Sequence, residues 1–414
     1  MANFSKLIEK KADAAQYMVD EITHICKDMP KRTPGEEGER IACEYMADVL
    51  KKDCGCERSD VESFKENPGS FFGWIYITIT CVLAGLIAYF FLPILGFALI
   101  VFGFYVMIMQ FGLYKKTFDF LFPEKTGTNV TAIKKCTGEV KGRVFFNGHP
   151  DAAWNWPVNN KFGGKVYEAN IVIVVLGALF LMGCNLAAAI LTGFKPMILK
   201  PENGVLFWLG IANIAFVPFY FGMYRMWDPN TTVDGANDNL TGVFVAVSAL
   251  KCLKESGIRY ENTEVCALLT GSEEAGLRGA TAFTKRHKGE NKDVETYIIA
   301  FDTMRDYDYM TIYHRDMTGM VKNSPEVVAL LDEACNDPDV NHPLPHGVVP
   351  FGASDAAAFS RGGFKAAAVA GQNPKYAPYY HNRRDTPDQM IPETFALGLD
   401  IALAAIEAFD RDQK

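Results

Sequence analysis

The sequence predicts an α/β domain, a mostly parallel central sheet with helices on both faces, into which two hydrophobic helical hairpins are inserted. Three observations predict this. Four short apolar runs alternate with amphipathic helical patterns, the signature of a parallel sheet with crossover helices. Three windows contain no Asp, Glu, Lys or Arg: 67–114, 169–194 and 203–224. Outside them, 318 residues carry all 90 charged side chains, an ordinary soluble composition at about 28%.

In chain order, 5–29 and 36–52 read as helices. The second follows Thr33-Pro34-Gly35 and has Glu36, Glu37 and Glu39 in its first turn, where the helix dipole favours them. The first 20 residues are charged and lack an apolar stretch, so no signal peptide is expected there. Cys54-Gly55-Cys56 is the only tight cysteine pair and reads as surface thiols on a turn. With two further cysteines, Cys81 and Cys184, inside apolar windows, reduced thiols on a cytosol-facing domain are the simplest account.

A bilayer core about 30 Å thick needs roughly 20 apolar residues per helix. The first window is too long for one span and divides at Leu92-Pro93-Ile94-Leu95-Gly96. Four spans are expected, near 71–92, 95–114, 169–194 and 204–224. The joint at Pro93 has no polar residue, so a kinked or re-entrant helix is the alternative. The division is therefore 1–66, hairpin 67–116, 117–168, hairpin 169–226, and 227–414. Hairpins return the chain to the side it left. Lys65, Lys115, Lys116, Lys161, Lys165 and Arg225 flank the domain side, and Lys195 and Lys200 the tip of the second hairpin. This bias predicts an integral membrane protein with its domain on the cytoplasmic face.

The four apolar runs are 144–146, 265–269, 297–301 and 366–370. Helical patterns cover about 239–254, 276–287, 325–335 and 393–409. Chemistry-bearing residues follow the runs: His149-Pro150-Asp151, then Ser272-Glu273-Glu274, then Asp302, and, after a Pro- and Tyr-rich loop, His381. Asp238 precedes a helix. Doubly wound sheets bind ligands at the carboxyl ends of their strands. Each residue alone has a plain structural reading, such as a helix cap or a surface histidine; together they make a donor set. Imidazole and carboxylate suit zinc. Asp238, Glu274 and Asp302 would set three negative charges against two dications, and the residual positive charge would acidify water. Glu273 stands beside a ligand as a general base, and Asp151 is a natural hydrogen-bond partner for His149. The net charge of −8 and pI near 5.5 argue against a nucleic-acid partner.

The strings RTPGEEGERIACEYMADVL, TGTNVTAI, FFNGHPDA, GANDNLTGV, LLTGSEEAGLRGA, AFDTM, GASDAAAF and YYHNRRDTPD resemble the zinc peptidases of family M28. The resemblance covers residues 5–66, about 122–160 and about 228–410. It implies a zinc-dependent exopeptidase fold, with His149 and Asp302 on one zinc, Glu274 and His381 on the other, and Asp238 bridging them. It further implies Glu273 as base and hydrolysis of N-terminal peptide bonds through a metal-bridging hydroxide, with cobalt or manganese as alternative metals. A cis peptide after Asp238 is expected on the same ground. The sequence departs from the family at Ala356, where His is common, and at Asn382, where Thr is usual. A second departure is the hairpin between His149 and Asp238, which would bring the cleft near the bilayer and favour membrane-associated peptide substrates. The rival readings are a single-zinc acyltransferase like the glutaminyl cyclases, and a non-catalytic membrane receptor or scaffold that kept the fold. The absence of any Asp, Glu, Lys, Arg or His in the spans argues against a transporter.

Overall fold

A computed structural model describes residues 11–290, 293–373 and 378–413. The chain divides into two compact units, one formed by 1–68, 124–154 and 231–414, the other by 69–123 and 155–230.

The first unit is built on a mixed sheet. Its strands are β1 (Arg58–Glu66), β2 (Lys125–Lys134), β3 (Gly142–Gly148), β4 (Thr263–Thr270), β5 (Glu295–Met304), β6 (Met310–Asp316), β7 (Val321–Lys322), β8 (His346–Val348) and β9 (Lys365–Gly371). They lie in the order β1-β2-β4-β3-β5-β9-β6-β7, with β8 paired to β6. The four central strands, β4, β3, β5 and β9, are parallel. They are the four apolar runs of the sequence, because central parallel strands are covered on both faces. β1 and β2 add antiparallel to one side and β6 to the other. β1 reads RSDVESFKE, an edge strand half open to solvent, so its polarity hides it in the sequence. β2 is buried yet polar: Thr128 N–H donates to Glu39 in helix Glu37–Lys52, and the Asn129 side chain donates to Gly279 O in helix Arg278–Arg286 and accepts Gly271 N–H from the loop after β4.

Helices Lys11–Asp28, Glu37–Lys52, Thr241–Ser256, Pro325–Cys335 and Pro392–Asp412 pack over one face, and Arg278–Arg286 and Asp355–Arg361 over the other. The helix expected over 5–29 begins within the described residues at Lys11; 5–10 lie outside them. Helix 241–256 is buried along most of its length. It ends at Gly257, whose φ of +68° and N–H bond back to Leu253 form a left-handed cap. Gly242, near its start, meets β5 so closely that a Cβ would stand 2.2 Å from the Phe301 carbonyl oxygen.

One reading of the cysteines is overturned. Cys54 and Cys56 are not surface thiols; they are 0% and 4% exposed. The turn at Gly55 (φ +63°) directs both inward, where Cys54 Sγ donates to Val247 O at 3.5 Å. Burial pushes both thiols up, Cys56 to about 12, which makes them inert packing groups.

The second unit holds four helices long and apolar enough to cross a membrane: Ser70–Tyr89, Pro93–Gly112, Gly164–Leu191 and Val205–Met223. The first two form an antiparallel hairpin. Thr78 Oγ1 donates to Gly103 O at 2.8 Å, and Gly85 meets Gly96 further along. Small residues allow this approach, the usual basis of helix packing in lipid. Pro93 at the first turn of the second helix forces the break after Leu92. The third helix starts earlier than the apolar window, taking in Lys165 and Glu168. The fourth is interrupted at 214–216, where Pro218 cannot donate to the preceding turn.

Gly242→Ala should lower the thermal unfolding midpoint, since overpacking costs about 1–3 kcal/mol. Gly183→Ala, in a helix with open space around its Cα, should not lower it. Differential scanning fluorimetry compares the two; a Gly242→Ala protein that melts like wild type would contradict this packing.

Candidate metal centre

The four central strands end side by side, and the loops beyond them bring the predicted donors together. His149 follows β3, and Glu273 and Glu274 follow β4. Asp302 lies in β5 at a shift of register against β9. His381 lies in the loop after β9. Asp238 stands in the irregular turn 236–240 before helix 241–256, and its peptide bond to Asn239 is cis.

Asp238 is the centre of the cluster. Its Oδ1 lies 3.3 Å from His149 Nε2, and its Oδ2 lies 3.3 Å from His381 Nε2. His149 Nε2 is also 3.8 Å from Asp302 Oδ1, and His381 Nε2 is 3.0 Å from Glu274 Oε1. Donor atoms of His149, Asp238 and Asp302 lie within 4.8 Å of one another, as do those of Asp238, Glu274 and His381. A third set of equal compactness joins His149, Glu273 and Glu274, so Glu273 is within ligand reach as well. Its Oε2 is 3.8 Å from His149 Nε2.

Asp151 is wholly buried and faces His149 Nδ1 at 3.4 Å. It also accepts the backbone N–H groups of Glu273 (3.0 Å) and Glu274 (3.1 Å). One carboxylate thus stands beside the first imidazole and fixes the loop that carries two acidic residues.

Burial in this cleft raises Glu273 well above the usual carboxylate range, and Glu274 to about 7. Burial works the opposite way on the histidines, but the surrounding carboxylates outweigh it: both are raised, His381 to about 10. For Asp238, burial is outweighed by the two imidazoles, which hold it low. Four carboxylates this close need positive charge among them. Two imidazoles and three carboxylates arranged in two sets with one shared member are a donor set that suits zinc.

Several residues that sequence reasoning passed over shape this centre. Asp385 accepts Asn237 N–H (2.8 Å), the Asn237 amide (2.8 Å) and Asp238 N–H (3.2 Å), and so holds the central carboxylate's backbone. Asn239 donates to Phe301 O (2.8 Å) and accepts Thr303 N–H (3.2 Å), tying the turn to the end of β5. Tyr380 stacks on His381 with ring centroids 3.9 Å apart. Asp355, beside Ala356, is buried and accepts the Thr270 hydroxyl. The remaining histidines lie outside the cluster; His24, His287 and His346 pair with Asp28, Glu62 and Asp332 respectively.

Residues 226–406 match the model of Peptidase family M28. A comparison with curated proteins finds no match. Solved structures share the fold at low identity. A zinc aminopeptidase from Bacillus subtilis is 13% identical, with a TM-score of 0.56, covering 95% of this chain and 94% of that one. An aminopeptidase from Aneurinibacillus sp. strain AM-1 is 14% identical, with a TM-score of 0.55, covering 95% and 93%. A glutaminyl cyclase from Porphyromonas gingivalis is 11% identical, with a TM-score of 0.54, covering 96% and 97%. The matched segment contains Asp238, Glu273, Glu274, Asp302 and His381.

Proposed function

We propose that the chain is a membrane-anchored metallopeptidase that holds two zinc ions and acts as an aminopeptidase. The observation that carries this reading is the placement of Asp238, whose two oxygens each face a different imidazole at 3.3 Å. His149 and Asp302 would hold one ion, His381 and Glu274 the other, and Asp238 both. Bound zinc would supply Lewis acidity to the scissile carbonyl and to the attacking water.

The chain's own groups would do the rest. Glu273 would take a proton from water and return it to the leaving amine; burial, which raises its pKa, suits it to that exchange. Asp151 would keep the His149 ring and the Glu273 backbone in place. The four apolar helices support anchoring. The lysine bias at their flanks supports a cytoplasmic domain.

The likeness to glutaminyl cyclases favours one rival, a single-zinc acyl transfer. Metal content separates the two. Chelation should abolish peptide hydrolysis, and two equivalents of zinc per chain should restore it; cyclisation of an N-terminal glutaminyl peptide at one equivalent, without hydrolysis, would favour the rival. Glu273→Gln should lower kcat by about 10²–10⁴-fold while zinc content is unchanged. Wild-type turnover of an aminoacyl-p-nitroanilide by this variant would reject Glu273 as the base.

A further inference from the structure

The loops that bear the proposed ligands are held by an N-terminal segment outside the matched family segment. Arg32 is a charged side chain only 1% exposed. Its hydrogen bonds go to backbone carbonyls. Nε donates to Pro150 O at 2.6 Å, and Nη2 donates to Asp234 O and to Gly235 O, the latter at 3.0 Å. Pro150 sits between His149 and Asp151, while Asp234 and Gly235 lead into Asp238. Ala152 N–H returns a bond to Arg32 O at 2.9 Å. Gly235 has a φ of +60°, and a Cβ there would stand 2.9 Å from the guanidinium and 2.7 Å from Ala152.

These two loops are the ones that residues 155–230 separate in sequence. The chain closes again at a bridge between Trp154 and Thr232, reinforced by Val233 N–H to Ala153 O at 3.0 Å. Seven residues after Arg32, the fully buried Glu39 accepts Gly35 N–H (3.1 Å), Thr128 N–H (2.8 Å) and the Ser272 hydroxyl (2.6 Å). Ser272 directly precedes Glu273 and has a φ of +54°. A Cβ on Gly271 would meet Glu39 Oε1 at 2.7 Å.

A buried guanidinium is costly to desolvate unless its fork is satisfied. Its planar donors satisfy several carbonyls at fixed angles, which a lysine ammonium cannot reproduce. The charge of Arg32 is therefore compensated only when both loops sit in their observed register. We infer that Arg32 and Glu39 are positioning residues of the metal centre: Arg32 sets the His149 loop against the Asp238 loop, and Glu39 sets the loop of Glu273 and Glu274. The inference rests on the metallopeptidase reading proposed above.

The test uses the full-length protein in detergent. In metal-free protein, hydrogen exchange should accelerate at 148–152 and 234–240 in Arg32→Met and Arg32→Lys, and at 271–274 in Glu39→Gln. In the cobalt-loaded protein, each variant should shift the visible ligand-field band and weaken metal binding by about 10–100-fold. Lys31→Met, which removes a partly exposed ion pair to Asp234, should change neither readout. If Arg32→Met does not fold, Arg32→Lys and Glu39→Gln carry the test. Wild-type exchange, cobalt spectrum and affinity in these variants would overturn the inference. A wild-type protein that takes up no cobalt would instead reject the metallopeptidase reading, and the exchange data would then decide the positioning roles by themselves.

Discussion

Asp238, Glu274, Asp302 and Glu273 crowd into one buried cleft, and that electrostatic constraint shapes the surrounding structure. Carboxylates desolvated together repel one another and resist ionisation. The two imidazoles are drawn in against this repulsion, one to each oxygen of Asp238. Around them stand further carboxylates that accept backbone N–H groups, Asp151 from the Glu273 loop and Asp385 from the Asp238 turn. Such bonds fix the loops while leaving the central oxygens turned toward each other. Burying such a set is expensive in folding energy, and a metal cation is a counter-charge its donors suit.

The apolar hairpins interrupt this construction in sequence. Each unit closes on its own contacts. In the α/β unit, the chain segments that flank the second interruption are joined by an isolated bridge between Trp154 and Thr232. In the hairpin unit, several buried polar groups find local partners. Ser70 and Gln110 both donate to Asp119, and Tyr89 donates to Leu206 O. Satisfying polar groups internally is what a lipid environment demands.

Much of this was legible in the sequence because burial on both faces leaves a plain trace. β3, β4, β5 and β9 are unbroken apolar runs, and the residues just past them are the ones the fold gathers. The apolar helices were legible from length and absence of charge. What escaped has a common cause. Arg32, Glu39 and Asp385 bond backbone groups far away in sequence, and nothing in their neighbours distinguishes them from surface charges. β1 is a solvated edge, and β2 carries Thr and Asn where it bonds helices and a loop, so neither shows the apolar pattern. Cys54 and Cys56 were misread because a Gly turn can direct side chains inward as readily as outward. The helix at 355–361 is too short for periodicity to mark.

In the proposed function two ions share one carboxylate. Anomalous scattering at the zinc edge from the zinc-loaded protein tests that directly. It should show two peaks roughly 3.5–4 Å apart, one on either side of Asp238, between His149 and His381. A single peak, or zinc bound only away from Asp238, would contradict it.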